Sequence, residues 1–280
     1  MISIHSVSVS AELVKNKINE FSNETALAIS NFAKNNFENM KYLDFDIQVQ
    51  EKLKPSFSIM SVTELLKIDS GTVFNQTSLN THDNDETVNI GFGYRKLLND
   101  NKILIGSNIF YDHQFNLDHK RTGAGLEAIS SIFDLRGNYY NALSGSKITS
   151  DGSERALDGW DTQLDYHLPG EKDVNIFANL FAFENPDSAS TYEEKGTKFG
   201  ANASLGNFTI EGGYLNDNQN NDAFFGSVKF VVKLGDNGDK KKQNFLEYTD
   251  VSDKLYQPVK RENKIRVVKI SKSGVTVGGF

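Results

Sequence analysis

Residues 86–112 read ETVNIGFGYRKLLNDNKILIGSNIFYD. In the first part Val88, Ile90, Phe92 and Tyr94 share one parity, and Asn89, Gly91, Gly93 and Arg95 share the other. After Asn99–Asn101 the alternation restarts, with Ile103, Ile105, Ile109 and Tyr111 against Gly106, Asn108, Phe110 and Asp112. A period of two marks a β-strand with one apolar and one polar face. The short break between the runs marks an antiparallel pair.

The pattern recurs in both directions. It predicts strands at about 43–50, 55–66, 71–80, 86–96, 102–112, 119–129, 132–142, 158–168, 173–183, 196–204, 207–214 and 223–233, twelve in all. Their lengths suit a tilted bilayer crossing, and an even count suits a closed outer-membrane barrel. The links near Lys67–Ser70, Asn99–Asn101, Ser130–Ser131, Pro169–Lys172 and Leu205–Gly206 are short. Those near Thr81–Asp85, His113–Asp118, Leu143–Leu157, Glu184–Lys195 and Leu215–Asp222 are longer and polar. Short turns at one end and long polar loops at the other is the outer-membrane arrangement. Tyr94, Tyr111, Trp160 and Tyr166 fall near strand ends, where an aromatic girdle sits. A soluble sandwich also alternates, so periodicity alone leaves a soluble barrel or sandwich open.

Composition agrees with a barrel and removes other classes. No run approaches the roughly 18 apolar residues of a membrane helix, but a barrel spends only every second residue on lipid. The balance of 37 Asp plus Glu against 30 Lys plus Arg, a net charge of −7, argues against nucleic acid as a partner. The chain has no cysteine, which excludes disulfide scaffolds, thiolate zinc sites and a Cys nucleophile.

The flanks read differently. Residues 11–40 predict an amphipathic helix, with Val14, Ile18, Phe21, Ala28 and Phe32 near one face. That helix is expected to pack on its own domain rather than to lie on a membrane. Residues 235–243 are a charged linker, NFLEYTDVSDKLY (244–256) reads as one short helix, and PVKRENKIRVVKI (258–270) is extended and basic.

Five segments carry a resemblance: TVNIGFGYRKL (87–97), GSNIFYDHQFNLDHKRTGAGLEA (106–128), LRGNYYNALSG (135–145), LDGWDTQLDYHLP (157–169) and LYQPVKRENKI (255–265). In this order they resemble the β-domain of inverse autotransporters, the intimin and invasin type of outer-membrane protein, over roughly residues 43–268. Gly91, Gly93, Arg95, Asn108, Phe110, Asp112, Arg121, Gly123, Gly125, Glu127, Trp160 and Asp161 fall where the family has those residue types. The resemblance implies an all-β fold, a twelve-stranded antiparallel transmembrane β-barrel with a short N-terminal helix. It implies a periplasmic helical segment at 1–42, a barrel at 43–234, a linker threaded into the lumen at 235–268 and a C-terminal stub at 269–280. It also implies the outer membrane of a Gram-negative bacterium, with the helix in the periplasm. The implied partners are outer-membrane lipid, the barrel assembly machinery and, through a passenger, a host or neighbouring cell surface. Export or display of a C-terminal segment, with a link to adhesion, is the implied function, and a porin-like passive pore is the alternative. As it stands, MISIHSVSVSAELVKNKIN shows no secretory signal, and residues 269–280 are too few for a passenger. The expectations are therefore a fragment, a shortened gene or a translocator acting on another chain.

The candidate site residues are the charges on the polar parity. Arg95, Asn108, Asp112, Arg121, Glu127, Asp134, Arg136, Asp161, Asp165, Glu211 and Lys229 would project into the lumen. They either fill and rigidify it or hold the returning linker, whose Tyr256, Pro258, Lys260, Arg261, Glu262, Asn263 and Lys264 would enter the same space. Gly91, Gly93, Gly106, Gly123 and Gly125, with Gly200 and Gly213, either leave room for a threaded segment or permit curvature. No cofactor and no enzymatic activity are expected. GFG and GAG do not open a helix after a strand, so the dinucleotide fingerprint lacks its context. Asp112, His113 and His119 lack a third metal ligand at the usual spacing and read as a solvated loop rim. His167 has no matching Ser for a nucleophile pair. Phe280 reads as the chance end of a stub rather than an assembly signal.

Overall fold

The computed structural model describes residues 24–33, 35–82, 85–170, 173–187, 189–234, 248–272 and 276–279. Residues 11–23 of the expected helix, the linker stretch 235–247 and Phe280 lie outside them.

The strands run in chain order as β1 (Met40–Gln50), β2 (Ser56–Ile68), β3 (Gly71–His82), β4 (Asp85–Leu98), β5 (Ile103–Gln114), β6 (His119–Ser130) and β7 (Phe133–Ala142). A small hairpin follows, β8 (Lys147–Thr149) and β9 (Gly152–Ala156). Then come β10 (Asp158–Leu168), β11 (Val174–Glu184), β12 (Glu193–Leu205), β13 (Phe208–Asp217) and β14 (Ala223–Lys233). Twelve of these, all but β8 and β9, form one closed antiparallel barrel in which β1 pairs with both β2 and β14. β15 (Val267–Ser271) and β16 (Thr276–Gly279) join β8 and β9 in a separate sheet of order β16-β15-β9-β8. A helix over residues 24–33, continued at 35–36, precedes β1.

Burial follows the parity and reverses the order of a soluble protein. In β4, Asn89 and Arg95 are fully buried, while Ile90 and Phe92 are 42% and 49% exposed. Register carries both faces around the wall. Ile90 lies opposite Tyr111 and Phe92 opposite Ile109 on the outside, and Asn89 opposite Asp112 on the inside. An apolar outer wall around a polar interior is stable only where the outer solvent is lipid. The soluble alternatives fall with it. The short turns hold strongly bent backbone: Asn99, Asp100 and Asn101 all have positive φ, which Asn and Asp tolerate best among non-glycines.

Four expectations differ from the structure. β1 starts at Met40, three residues early, because Met40 pairs with Thr63 across a register shift that breaks the alternation. Residues 143–157, expected as a loop, contain β8 and β9, whose short polar strands have no apolar face to read. Within residues 248–256 the only helical turn is Ser252–Lys254. The expected boundary at 268 falls inside β15.

Ile109 is mid-strand and 63% exposed on the outer wall. Ile109→Arg should therefore lower stability in phospholipid vesicles by about 2–4 kcal/mol, the cost of a cation at the bilayer midplane. Urea unfolding titrations read this directly. A cost near zero would mean that the wall does not face lipid there.

Candidate functional site

The chain that leaves β14 at the short-turn rim returns through the barrel. Thr249 N donates to Ser131 Oγ (3.0 Å) and Val251 N to Asn101 O (2.8 Å), both in short turns. At the other end β15 pairs with β9, which rises from the long loop between β7 and β10. Residues 251–266 therefore span the lumen from rim to rim.

Near the short-turn end, Arg95 is fully buried and makes two kinds of bond. Its Nε donates to Glu127 Oε1 (2.5 Å) on the wall, and its Nη1 donates to the carbonyls of Leu255 (3.0 Å) and Gln257 (2.5 Å) on the linker. Asp134 and Asp165 lie directly opposite each other on β7 and β10. Such like-charge pairs repel across strands. Arg136 bridges both carboxylates at 3.0 and 2.8 Å. The linker supplies the remaining cations, Lys254 at 3.1 Å from Asp134 and Lys260 at 2.7 Å from Asp165. His167 Nε2 also lies 3.0 Å from Asp134.

Toward the long-loop end, Asp112 is fully buried between two arginines. It accepts from Arg121 Nε (2.8 Å) on the wall and from Arg261 Nη1 (2.8 Å) and Nη2 (2.7 Å) on the linker, with Asn89 Nδ2 at 2.7 Å. The two-pronged Arg261 bond fixes geometry as well as charge. Its guanidinium also lies 4.2 Å from the Phe110 ring centroid, a cation–π contact. The linker backbone is held too. Arg121 Nη2 donates to Glu262 O (2.6 Å), Asn89 Nδ2 to Asn263 O (2.9 Å) and Asn138 Nδ2 to Lys260 O (3.1 Å). Val259 N donates to Gln76 Oε1 (2.7 Å), and Glu262 N to Tyr140 Oη (2.7 Å). Tyr140 in turn donates to Asp161 (2.5 Å).

At the exit Arg266 is ion-paired with Glu194 and, at 3.3 Å, with Glu262. Val268 is buried with Tyr140, Leu157, Phe181, Phe183 and Leu215. Glu154 of β9 lies 3.2 Å from His119 Nε2 and 3.4 Å from Lys269 Nζ. His119 is fully buried at the base of this hairpin, not on a solvated rim as the sequence suggests. The other histidine of that reading, His113, pairs with Asp118 at 2.8 Å.

The predicted lumen set is mostly one connected network, and its members sit inside. Asn108 packs over Gly125. Lys229 lies 3.7 Å from Asp44 on the far side. Glu211 stands apart from the linker's backbone bonds, lining a cavity of about 270 Å³ with Lys229 and Lys260. Tyr256 donates to Glu64, Pro258 lines the same cavity, and Asn263 sits between Asn89 and Arg261.

Most of the glycines make room for side chains or backbone of the wall itself rather than for the threaded segment. A Cβ at Gly91 would strike the Phe110 ring and one at Gly93 the Phe74 ring, each on the neighbouring strand. Gly106 makes room for Glu127 and Gly125 for Asn108 and Asn138, while Gly200 and Gly213, paired across β12 and β13, admit the carbonyls of Gly212 and Phe199 and, behind them, the Phe177 and Phe225 rings. Only Gly123 of this set faces the linker, at Arg261 Nη2. Tyr94 and Tyr166 project outward near the short-turn ends of their strands, and Tyr111 and Trp160 near the long-loop ends. The sequence reading missed Phe74, Gln76, Tyr140 and Glu194. An aromatic on the polar parity opposite a glycine, as Phe110 is opposite Gly91, is the signal that finds the ring platforms. Among the described residues no group of three or more His, Asp or Glu is placed to hold a metal ion.

A closed wall, apolar outside and charged within, and a lumen crossed by its own chain define a transmembrane β-barrel with an internal linker. The inverse autotransporter β-domain model matches residues 3–263, and the chain belongs to that family of outer-membrane barrels from Gram-negative bacteria. It is 30% identical to the inverse autotransporter adhesin YeeJ of Escherichia coli K12 over 100 residues, 34% of this chain and 4% of YeeJ. It is 33% identical over 99 residues to intimin of Escherichia coli O127:H6, 34% of this chain and 10% of intimin. The matched stretches are thus small parts of both relatives. Among solved structures, a chain from "Unveiling the Mechanism Behind the in-meso Crystallization of Membrane Proteins" superposes with a TM-score of 0.68. That match has 20% identity and covers 81% of this chain and 98% of the other. The COG4313 outer membrane channel from Pseudomonas putida F1 gives 0.53 at 10% identity, covering 69% and 95%. Both likenesses are of fold.

Removing Asp112 strands two buried guanidinium groups, so Asp112→Ala should cost roughly 3–5 kcal/mol. Arg261→Met should relieve part of that loss, giving a favourable coupling in a double-mutant cycle read by urea unfolding. Strict additivity would show that the pair is not coupled.

Glu154 lies outside the spanning strands. Burial works against its charge, but bonds from His119 and Lys269 outweigh this and hold its carboxyl below the usual glutamate range. A depressed folded pKa gives stability that is present above the unfolded value and lost as pH falls through the folded one. Amide-exchange protection of β15, corrected for intrinsic rates, should therefore drop on acidification, and Glu154→Gln should flatten that drop.

Proposed function

We propose that the chain is the anchoring and translocating unit of an inverse-autotransporter-type protein. The lipid-facing wall anchors it in the outer membrane. The lumen guides a C-terminal segment outward and then holds it, and the long loops and the β8–β9 hairpin lie at the cell surface. The short-turn rim and the helix then lie in the periplasm. The expected partners are outer-membrane lipid and the barrel assembly machinery. A passenger following the linker would meet a host or neighbouring cell. The work done is physical rather than catalytic, and it needs no cofactor.

One observation carries this reading. The wall's buried carboxylates are shared between wall and linker, with Asp112, Asp134 and Asp165 each receiving a linker cation beside a wall arginine. A second reading, a passive pore for small solutes, rests on the cavity of about 270 Å³ left between the linker and β1, β2 and β10–β14.

With an export signal supplied and an epitope placed after Phe280, intact cells should bind antibody and lose the epitope to external protease. An epitope found only in disrupted cells would sink the threading model. In planar bilayers the full chain should conduct poorly and open on deletion of residues 251–280. Full conductance with the linker present would favour the pore.

A further inference from the structure

The helix over residues 24–33, continued at 35–36, does not cap the lumen. Its Ala33 is buried with Val232 and Leu234, and Ala26, Ile29, Met40, Leu43 and Phe230 pack around them. Leu43 and Val232 are directly opposite each other on β1 and β14, the pair of strands that closes the barrel. Both are on the outward parity, since Asp44 and Asp46 of β1 are buried on the inside and Phe45 and Ile47 are exposed on the outside. The helix therefore lies against the outer wall, across the seam, at the short-turn rim. Backbone bonds continue the strap, from Glu64 N to Asn39 O (2.8 Å) and from Leu234 N to Lys41 O (2.9 Å).

Docking uses only one stripe of this helix. Leu27 and Phe32 flank the stripe on either side and are 62% and 63% exposed, and Phe37 beyond the last turn is 52% exposed. Glu24, Asn31 and Asn35 occupy the remaining face and are also exposed. A water-facing helix with both flanks apolar would be costly. Here the helix packs on Leu43 and Val232, and the same outward parity of β1 goes on to Phe45 and Ile47, whose solvent is lipid. An amphipathic helix at a membrane boundary keeps its polar side in water and sinks its apolar side chains into the headgroup and acyl boundary.

We infer that this helix is a lipid-interface clasp. Ala26, Ile29 and Ala33 fasten it to the β1–β14 seam, and Leu27, Phe32 and Phe37 enter the boundary between phospholipid headgroups and acyl chains. The docking face differs from the expected one, since Ala28 and Phe32 are exposed while Ala26, Ile29 and Ala33 pack on the barrel. The clasp covers the closing strands from outside and sets the depth at which that rim sits in the leaflet. This inference rests on the barrel's lipid-facing wall and does not depend on export.

Because the chain has no cysteine, single probes are clean. The full chain would carry Leu27→Cys, Phe32→Cys, Asn31→Cys or Asn35→Cys, each labelled with a polarity-sensitive fluorophore. Phe45→Cys serves as the lipid reference and Asn116→Cys, in a polar loop, as the water reference. Each is refolded into phosphatidylcholine–phosphatidylglycerol vesicles, with barrel formation checked by heat-modifiable gel mobility. Labels at 27 and 32 should be blue-shifted and lose most of their emission to lipids bearing a nitroxide high on the acyl chain. Labels at 31 and 35 should instead be quenched by aqueous iodide, as at 116. Iodide quenching at all four helix positions would overturn the clasp. So would a blue shift at 27 and 32 that ignores the lipid nitroxide and grows with protein density, which would mean that a second copy covers the flanks. Ala33→Asp should abolish the lipid quenching at 27 and 32 while the barrel still folds. Unchanged quenching in that variant would show that seam docking does not set the helix's position.

Discussion

A carboxylate sealed inside a protein wall must find its cations there. Asp112 finds one on its own wall, Arg121, directly opposite in register, and the other on the crossing linker, Arg261. The rest of the interior depends on the same constraint. Eight strands enclose a space that their own side chains can fill, and twelve enclose more. The surplus here is taken by a basic segment, and the wall is charged to match. Asp134 and Asp165 face each other and would repel without Arg136 between them and Lys254 and Lys260 from the linker. The lumen is thus two halves of one ionic network, and neither half is neutralised without the other.

The fit is lopsided. The linker's backbone bonds go to side chains on β3, β4, β6 and β7, through Gln76, Asn89, Arg95, Arg121, Asn138 and Tyr140. The cavity lies against β1, β2 and β10–β14. The outer helix is fastened on this second side, where β1 meets β14. The wall is therefore braced from within along one arc and from without at its seam.

Much of this was legible in the sequence because parity is a one-bit code that lipid enforces strictly. A single slip would put Ile90 and Phe92 in the lumen and Asn89 and Arg95 in the hydrocarbon, so β4 admits one reading once its strand is recognised. Parity places a residue inside but does not say whom it meets. That needs register between strands, which sets Asp112 beside Arg121 and Glu127 beside Arg136. The glycines misled for this reason. Gly91 and Gly93 read as space for a threaded chain, yet that space is filled by Phe110 and Phe74 from adjacent strands. The hairpin β8–β9 was illegible in a different way. Its residues carry no apolar alternation, and β9 is held between β8 on one edge and β15 on the other.

The pairing of β15 with β9 also gives the barrel an orientation. A tube of strands has almost no preferred direction about its own axis. Here the emerging chain is bound edge-on to β9, with Val267 opposite Ala156 and Ser271 opposite Gly152, and Arg266 is tied to Glu194 across the mouth. This end of the linker is therefore eccentric, on the side of β7 and β10, and β16 folds back antiparallel on β15 there. In the plane of the membrane, each barrel has a compass bearing.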